Sequence, residues 1–123
     1  MPVRPVVLVI VFQSELGRVI RDVLVDEGYD AVRVRDPYGA IGLMREQSVD
    51  LVVAGLSVLD EEETSPLSEL MTEFPDVALI ALSQPGKMAL PVFGPWRRDG
   101  DHITLRQPFR LNDVIGAARD LVG

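Results

Sequence analysis

The sequence predicts one α/β domain built on a doubly wound parallel sheet. Short apolar runs rich in β-branched residues, such as Val6–Val11 and Asp50–Leu56, have the composition of strands that are covered on both faces. Between them lie segments whose apolar residues recur at helical spacing. Parallel strands need crossover helices, and a chain of 123 residues fits a single core. We therefore expect five strands that alternate with helices on both faces, over residues 1–123.

The first two strand and helix units follow directly from this pattern. Val6–Val11 is the first strand, and the helix after it is stopped by Gly28. The apolar residues of this helix at helical spacing are Leu16, Val19, Ile20, Val23 and Leu24. Ala31–Val34 alternates with arginine and predicts a more exposed second strand, after which Asp36 and Pro37 open a helix. The buried stripe of that helix is predicted to be Ala40, Ile41 and Met44.

The remaining units repeat the same rhythm. Asp50–Leu56 is a nearly unbroken apolar run and predicts the third strand, and a helix is predicted over Pro66–Phe74. That helix places on one face Leu67, Leu70, Met71 and Phe74. Val77–Leu82 predicts a fourth buried strand and His102–Arg106 a fifth. The last helix carries on its apolar face Leu111, Val114, Ile115, Ala118 and Leu121.

Residues 83–101 interrupt this rhythm. Prolines at positions 85, 91 and 95 fall where the fourth helix is expected, and an interior proline costs a helix about 3 kcal/mol. We expect this helix to be short, irregular or missing. The apolar residues of the segment then either remain exposed or fill the core that the helix leaves open. They are Met88, Leu90, Val92, Phe93 and Trp96.

Charge and composition limit the classes of partner. The chain carries a net charge of -7, which repels nucleic acid, and its one dense basic pair, Arg97 and Arg98, is followed at once by acidic residues. It has no cysteine, so disulfides, thiolate metal sites and a thiol nucleophile are excluded. No apolar run approaches the roughly 18 residues that a membrane span requires. We expect a cytoplasmic protein that binds neither nucleic acid nor a membrane.

Short landmarks along the chain fall in the order of a known family. A strand ends at Val11, the first helix closes with the sequence DEGY at residues 26–29, and DLVV at residues 50–53 opens the third strand. Val77–Ser83 and the sequence QPF at residues 107–109 follow. Over essentially the whole chain, these landmarks resemble the receiver domain of bacterial response regulators, which belong to two-component signalling. The resemblance implies the flavodoxin-like (βα)5 fold.

The resemblance also implies where a phosphorylation site lies. Receivers hold Mg²⁺ with an acidic pair at the end of the first strand and phosphorylate an aspartate at the end of the third, because a hard cation needs carboxylate oxygens. Aligned without gaps, the acidic pair falls on Val11 and Phe12, and the acceptor falls on Gly55. The hydroxyl position is kept as Ser83, whereas the lysine position holds Gln107. These degenerate positions imply a pseudo-receiver with no catalytic residue, no metal and no cofactor.

Other polar residues have plain structural explanations. The acidic run at residues 60–63 is interpreted as a solvated loop, since consecutive side chains point apart, and a replacement phosphoacceptor there is the alternative. Glu15 suits the first turn of a helix. Ser83 either caps the end of its strand or acts in a switch. The lone His102 is interpreted as structural, because no serine and aspartate arrangement marks a triad.

The sequence therefore predicts a phosphorylation-independent signalling module, not an enzyme, that acts through protein–protein interaction. In receivers, the fourth helix, fifth strand and fifth helix form the surface that meets partners or forms dimers, so the resemblance implies an interface or a homodimer there. Its candidate residues are Met88, Leu90, Phe93, Trp96, His102 and Thr104. The alternative is a regulatory domain that binds a small ligand in the pocket lined by the degenerate positions. By the same resemblance, the peptide bond between Gln107 and Pro108 is expected to be cis.

Overall fold

The computed structural model describes residues 4–11, 14–34, 37–55, 70, 72–74, 76–83, 102–106 and 109–123. Along this part of the chain the helices and strands are β1 (Val6–Ile10), α1 (Ser14–Asp26), β2 (Asp30–Val34), α2 (Pro37–Glu46), β3 (Leu51–Gly55), β4 (Ala78–Ser83), β5 (His102–Arg106) and α3 (Leu111–Val122). Leu70, Thr72 and Glu73 are also helical, within the helix predicted over residues 66–74. Residues 84–100, where the irregular fourth helix is predicted, lie outside the described residues.

The strands form one parallel sheet in the order β2-β1-β3-β4-β5. Ile10 of β1 pairs with Ala54 of β3, and Gly55 of β3 pairs with Leu82 of β4. Strand β1 has β2 on one side and β3 on the other, so the winding direction of the chain reverses between β1 and β3. The predicted parallel sheet is confirmed.

Helices cover both faces of this sheet. On one face, α1 and α3 pack against the strands in a first core cluster, whose buried residues include Val7, Val9, Ile20, Leu24, Val114 and Ala118. On the other face, α2 and Leu70 pack in a second core cluster, whose buried residues include Leu8, Ile10, Ala40, Met44, Val52 and Leu79. Burying one aliphatic side chain of this size stabilises a fold by about 1.5–3 kcal/mol. The predicted doubly wound arrangement is therefore confirmed.

Strand ends differ from the sequence expectation by about one residue. Asp50, predicted to open the third strand, precedes β3, which begins at Leu51. Its carboxylate instead accepts a hydrogen bond from the backbone N–H of Val6, with Oδ2 2.8 Å from the nitrogen. Hydropathy marks which residues are apolar, whereas the strand bounds depend on backbone pairing. The side chain of Asp50 therefore links the starts of β1 and β3 at the N-terminal edge of the sheet.

The buried stripe of α1 contains a residue that the apolar pattern did not select. Val19 shares the helical spacing of the apolar residues of α1, but its side chain is 40% exposed. Gly17 is buried, one turn before Ile20 and two turns before Leu24, on the side of the helix that faces the sheet. Glycine carries no hydrophobic side chain, so a search for apolar periodicity passes over it.

The end of α1 and the start of α2 lie where the sequence predicts them. Gly28 adopts a positive φ of 98°, and its N–H donates to the carbonyl of Val25 at 3.0 Å. The N–H of Tyr29 donates to the carbonyl of Leu24, which closes the end of α1. Pro37 is the first residue of α2. Among the described helices, none combines the length and the apolar composition needed to cross a lipid bilayer.

Candidate functional site

The C-terminal edge of the sheet is where ligands bind in open parallel α/β sheets. Strands β1, β3 and β4 are neighbours, so their last residues lie side by side at this edge. Val11 follows β1 one residue beyond the pair Ile10 and Ala54, and Gly55 ends β3. The structure therefore brings together two positions that the sequence assigned to the degenerate phosphorylation site, Val11 and Gly55.

Neither of these two residues offers a side chain that binds a cation or accepts a phosphoryl group. Val11 is only 3% exposed and belongs to the first core cluster. Gly55 is buried in a strand whose five residues are all buried. Magnesium in proteins is held by carboxylate oxygens, and an acyl phosphate needs a carboxylate to form on. At these two positions the chain has an isopropyl group and a hydrogen atom.

A cationic side chain lies close to this edge, on the α1 side of the sheet. Arg33 of β2 is paired with Val9 and passes over Gly17 of α1. A Cβ atom added to Gly17 would lie 3.0 Å from Arg33 Nε and 3.5 Å from Val11 Cβ. The guanidinium group is permanently cationic, so it places a positive charge beside the end of β1. Glycine at position 17 provides the space for this close approach.

The Nε atom of Arg33 is buried and has no hydrogen-bond partner within the described part of the chain. A buried N–H group without a partner costs about 1–3 kcal/mol. The alternating pattern of residues 31–34 predicts an exposed position for Arg33 and does not reveal this contact. The glycine at position 17, inside the predicted helix, leaves room for such a contact but does not identify its partner.

The other predicted site residues are placed in part or not at all. Phe12 and Gln107 lie outside the described residues, as does the peptide bond between Gln107 and Pro108. Ser83 ends β4, where its backbone pairs with Arg106 of β5. The acidic run at residues 60–63 also lies outside the described residues.

The predicted interaction surface is described only along β5. His102 pairs with Leu79 of β4, and Thr104 pairs with Ala81. Strand β5 is at one edge of the sheet, and its residues Ile103 and Leu105 pack against the first core cluster. The remaining members of the surface lie outside the described residues, namely Met88, Leu90, Phe93 and Trp96.

Ionisable groups with shifted pKa values lie away from this edge. The Arg45 guanidinium bonds to the carboxylate of Glu73 and lowers the pKa of Glu73. Burial raises the pKa of the Tyr29 hydroxyl, which lies just before β2. Within the described ranges, no three aspartate, glutamate or histidine side chains gather as a metal site.

Solved structures share this fold. A response regulator receiver protein from Sinorhizobium medicae is 20% identical with a TM-score of 0.77, and the match covers 96% of this chain and 94% of that one. A response regulator from Thermotoga maritima is 17% identical with a TM-score of 0.77, covering 98% of each chain. The signal receiver domain of an HD domain-containing protein from Pseudomonas fluorescens is 21% identical with a TM-score of 0.75, covering 98% of this chain and 95% of that one.

The chain has the receiver fold. The resemblance noted in the sequence is therefore confirmed at the level of the fold. No family model matches the sequence, and no curated protein matches it. Identities near 20% establish the receiver fold alone, and the function of this chain depends on its own residues.

Proposed function

We propose that this chain is a regulatory module of the receiver type that acts by binding a protein and does not take up a phosphoryl group. The observation that carries the proposal is Gly55 at the end of β3. Position 55 is where the receiver resemblance places the phosphoacceptor, and glycine has no side chain to modify. No aspartyl phosphate can therefore form at position 55, so this chain cannot signal by the receiver route at that position.

The surroundings of Gly55 support the same proposal. Val11, next to it across the sheet, is buried and apolar, so it supplies no oxygen to a metal ion. Arg33 adds a positive charge on the α1 side of the same edge, and a positive charge repels a divalent cation. The absence of a carboxylate at positions 11 and 55 and the presence of a cation beside them both disfavour metal-assisted phosphoryl transfer.

The test is treatment of the purified chain with acetyl phosphate and Mg²⁺, followed by intact-mass spectrometry. We expect no phosphorylated species, while a receiver domain with its acidic residues intact, treated in parallel, gains a phosphoryl group. A hydroxylamine-sensitive phosphoaspartate found on this chain by peptide mapping would overturn the proposal. Mapping covers the acidic run at residues 60–63, which is the alternative acceptor.

A Gly55→Asp variant extends the test to the metal site. It restores a carboxylate at the end of β3 but leaves Val11 without an oxygen ligand. We expect the variant to remain unmodified by acetyl phosphate, with circular dichroism confirming that it is folded. Phosphorylation of the folded variant would show that the acceptor was the sole missing element, and the part that we assign to Val11 and Arg33 would be wrong.

Protein binding is proposed for the surface around β5, which is one edge of the sheet. The candidate partner is another protein or a second copy of this chain. Light scattering over a range of concentrations distinguishes the two, because a homodimer shows a concentration-dependent doubling of mass. The alternative of a small ligand in the vacated pocket depends on Phe12 and Gln107, which lie outside the described residues, so it stays a prediction.

A further inference from the structure

A cleft of about 550 Å³ opens at the N-terminal edge of the sheet, opposite to Gly55. It lies between the end of α2 with the segment leading into β3, residues 44–50, and the residues leading into β4, namely 73, 74, 76 and 77. The cleft shares no residue with the degenerate phosphorylation site. Any function that it has is therefore separate from the one proposed above.

The floor of the cleft is apolar. Met44 and Val77 are 7% and 6% exposed and belong to the second core cluster. Val49 and Phe74 are half-buried and pack against that cluster. A floor of this kind accepts methylene groups, because their burial removes apolar surface from water. It does not by itself favour either a positive or a negative ligand.

The charged residues at the rim of the cleft determine whether a cationic or an anionic ligand is favoured. The lining contains four carboxylate residues and one guanidinium group. The guanidinium is already engaged, since Arg45 donates to both oxygens of Glu73, with Nε 2.8 Å from Oε2 and Nη2 2.6 Å from Oε1. This ion pair also shows how a carboxylate of the rim binds a guanidinium, through two parallel hydrogen bonds.

Two other carboxylates of the rim keep the capacity to accept hydrogen bonds. Glu46 is exposed at the end of α2. Asp50 bonds through Oδ2 to the N–H of Val6, and an ionised carboxylate has about four acceptor positions. An anionic segment is repelled here, whereas a cationic group gains charge-assisted hydrogen bonds.

We propose that this cleft binds a basic segment of a partner protein, with an arginine or lysine side chain laid across it. The methylene stem of the side chain rests on the floor formed by Val49 and Phe74, and its charged end faces Glu46 and Asp50. Long basic side chains bind in this manner, because their stems cover apolar surface while their charged ends stay at a polar rim. Charge complementarity between the acidic rim and the cation selects this occupant.

The proposal is tested by nuclear magnetic resonance titration of the full ¹⁵N-labelled chain with the peptide acetyl-Gly-Leu-Arg-Gly-amide. The control peptide carries citrulline in place of arginine, which keeps the shape and removes the charge. We expect saturable shifts of the backbone amides of residues 44–50, 73, 74, 76 and 77 with the arginine peptide, and no saturation with the citrulline peptide. Shifts distributed over acidic residues around the whole chain would overturn the proposal, as would equal binding of both peptides.

Two variants test whether the arginine peptide binds at the acidic rim of the cleft. Glu46→Gln removes one charge from the cleft, and Asp120→Asn, on the exposed side of α3, removes one charge elsewhere as a matched control. We expect Glu46→Gln to weaken arginine peptide binding about twofold to fivefold, the range typical of an exposed charge pair, and Asp120→Asn to leave it unchanged. Equal weakening by both variants would indicate attraction to the net charge of the chain and would overturn the proposed site. The spectra themselves report that each variant is folded.

Discussion

Replacing Gly17 by alanine tests the contact that places Arg33 beside the end of β1. Alanine in place of glycine inside a helix stabilises it by about 1 kcal/mol. At Gly17, however, the added Cβ would lie 3.0 Å from Nε and 3.4 Å from Cδ of Arg33, closer than the 3.5–4.0 Å or so of a good contact. Moving the Arg33 side chain off its preferred rotamer costs about 0.5–1.5 kcal/mol. The two effects cancel, so we expect Gly17→Ala to change stability by less than about 0.5 kcal/mol.

The same substitution gives a different result when Arg33 is absent. In an Arg33→Ala background, the nearest remaining atom is Val11 Cβ at 3.5 Å, which is an ordinary contact. We therefore expect Gly17→Ala to stabilise that background by about 1 kcal/mol. The difference between the two backgrounds is the coupling energy of a double-mutant cycle. It is read from urea unfolding curves, as the change in the free energy of unfolding.

Two other helical glycines are controls for the helix effect. A Cβ at Gly42 in α2 or at Gly116 in α3 meets no atom within 4 Å. Alanine at either position is expected to stabilise the fold by about 1 kcal/mol in both backgrounds, with no dependence on Arg33. If Gly17→Ala stabilised the wild-type chain as much as the Arg33→Ala chain, the guanidinium would not lie over Gly17. The electrostatic support that Arg33 gives to the proposed function would then be lost.

Three further predictions concern the end of α1, the rim of the cleft and the partner surface. Gly28→Ala should destabilise the chain by about 1–2 kcal/mol in urea unfolding, because φ at this position is 98°. The lowered pKa of Glu73 means that its ion pair with Arg45 stabilises the fold above the ordinary carboxyl pKa and ceases to do so as pH falls through the folded pKa. Glu73→Gln should therefore reduce stability at neutral pH and have no effect in strong acid, and an equal effect at both pH values would contradict the pairing. In pull-downs from the native cell, the double variant Phe93→Ala and Trp96→Ala should lose the partner that the wild-type chain retains, and undiminished capture would exclude these residues from the interface.

The layout of the fold was predictable because each element has a local signal. The strands β1 and β3 are continuous apolar runs, and α2 begins at the predicted proline, Pro37. Local signals of this kind do not show which residues form backbone hydrogen bonds between strands. The observed strand ends therefore differ from the predicted ones by about one residue. One example is the hydrogen bond from the N–H of Val6 to the carboxylate of Asp50, two residues that are 44 positions apart in the sequence.

The geometry of the candidate site was predictable only where it depends on strand ends. Val11 and Gly55 are adjacent because parallel strands end at the same edge, which follows from the fold class. The position of Arg33 over Gly17 depends on how closely α1 packs on β2. The sequence pattern does not predict the distance between these two elements. The pairing of Arg45 with Glu73 across 28 residues is likewise a tertiary contact. Interactions between distant elements are the part that sequence reasoning missed.

The two proposed sites lie at opposite edges of the sheet and differ in the charges of their described residues. A net charge of -7 does not by itself favour metal binding, because phosphoryl transfer needs the carboxylates at the C-terminal edge. The described residues there include Val11 and Gly55, which have a guanidinium beside them, whereas carboxylates line the cleft at the N-terminal edge. Because the two sites share no residue, Glu46→Gln should leave the response to acetyl phosphate unchanged, and Gly55→Asp, where folded, should leave peptide binding unchanged. A folded variant that alters both responses would mean that the two edges are coupled through the sheet, and neither proposal would then describe an independent site.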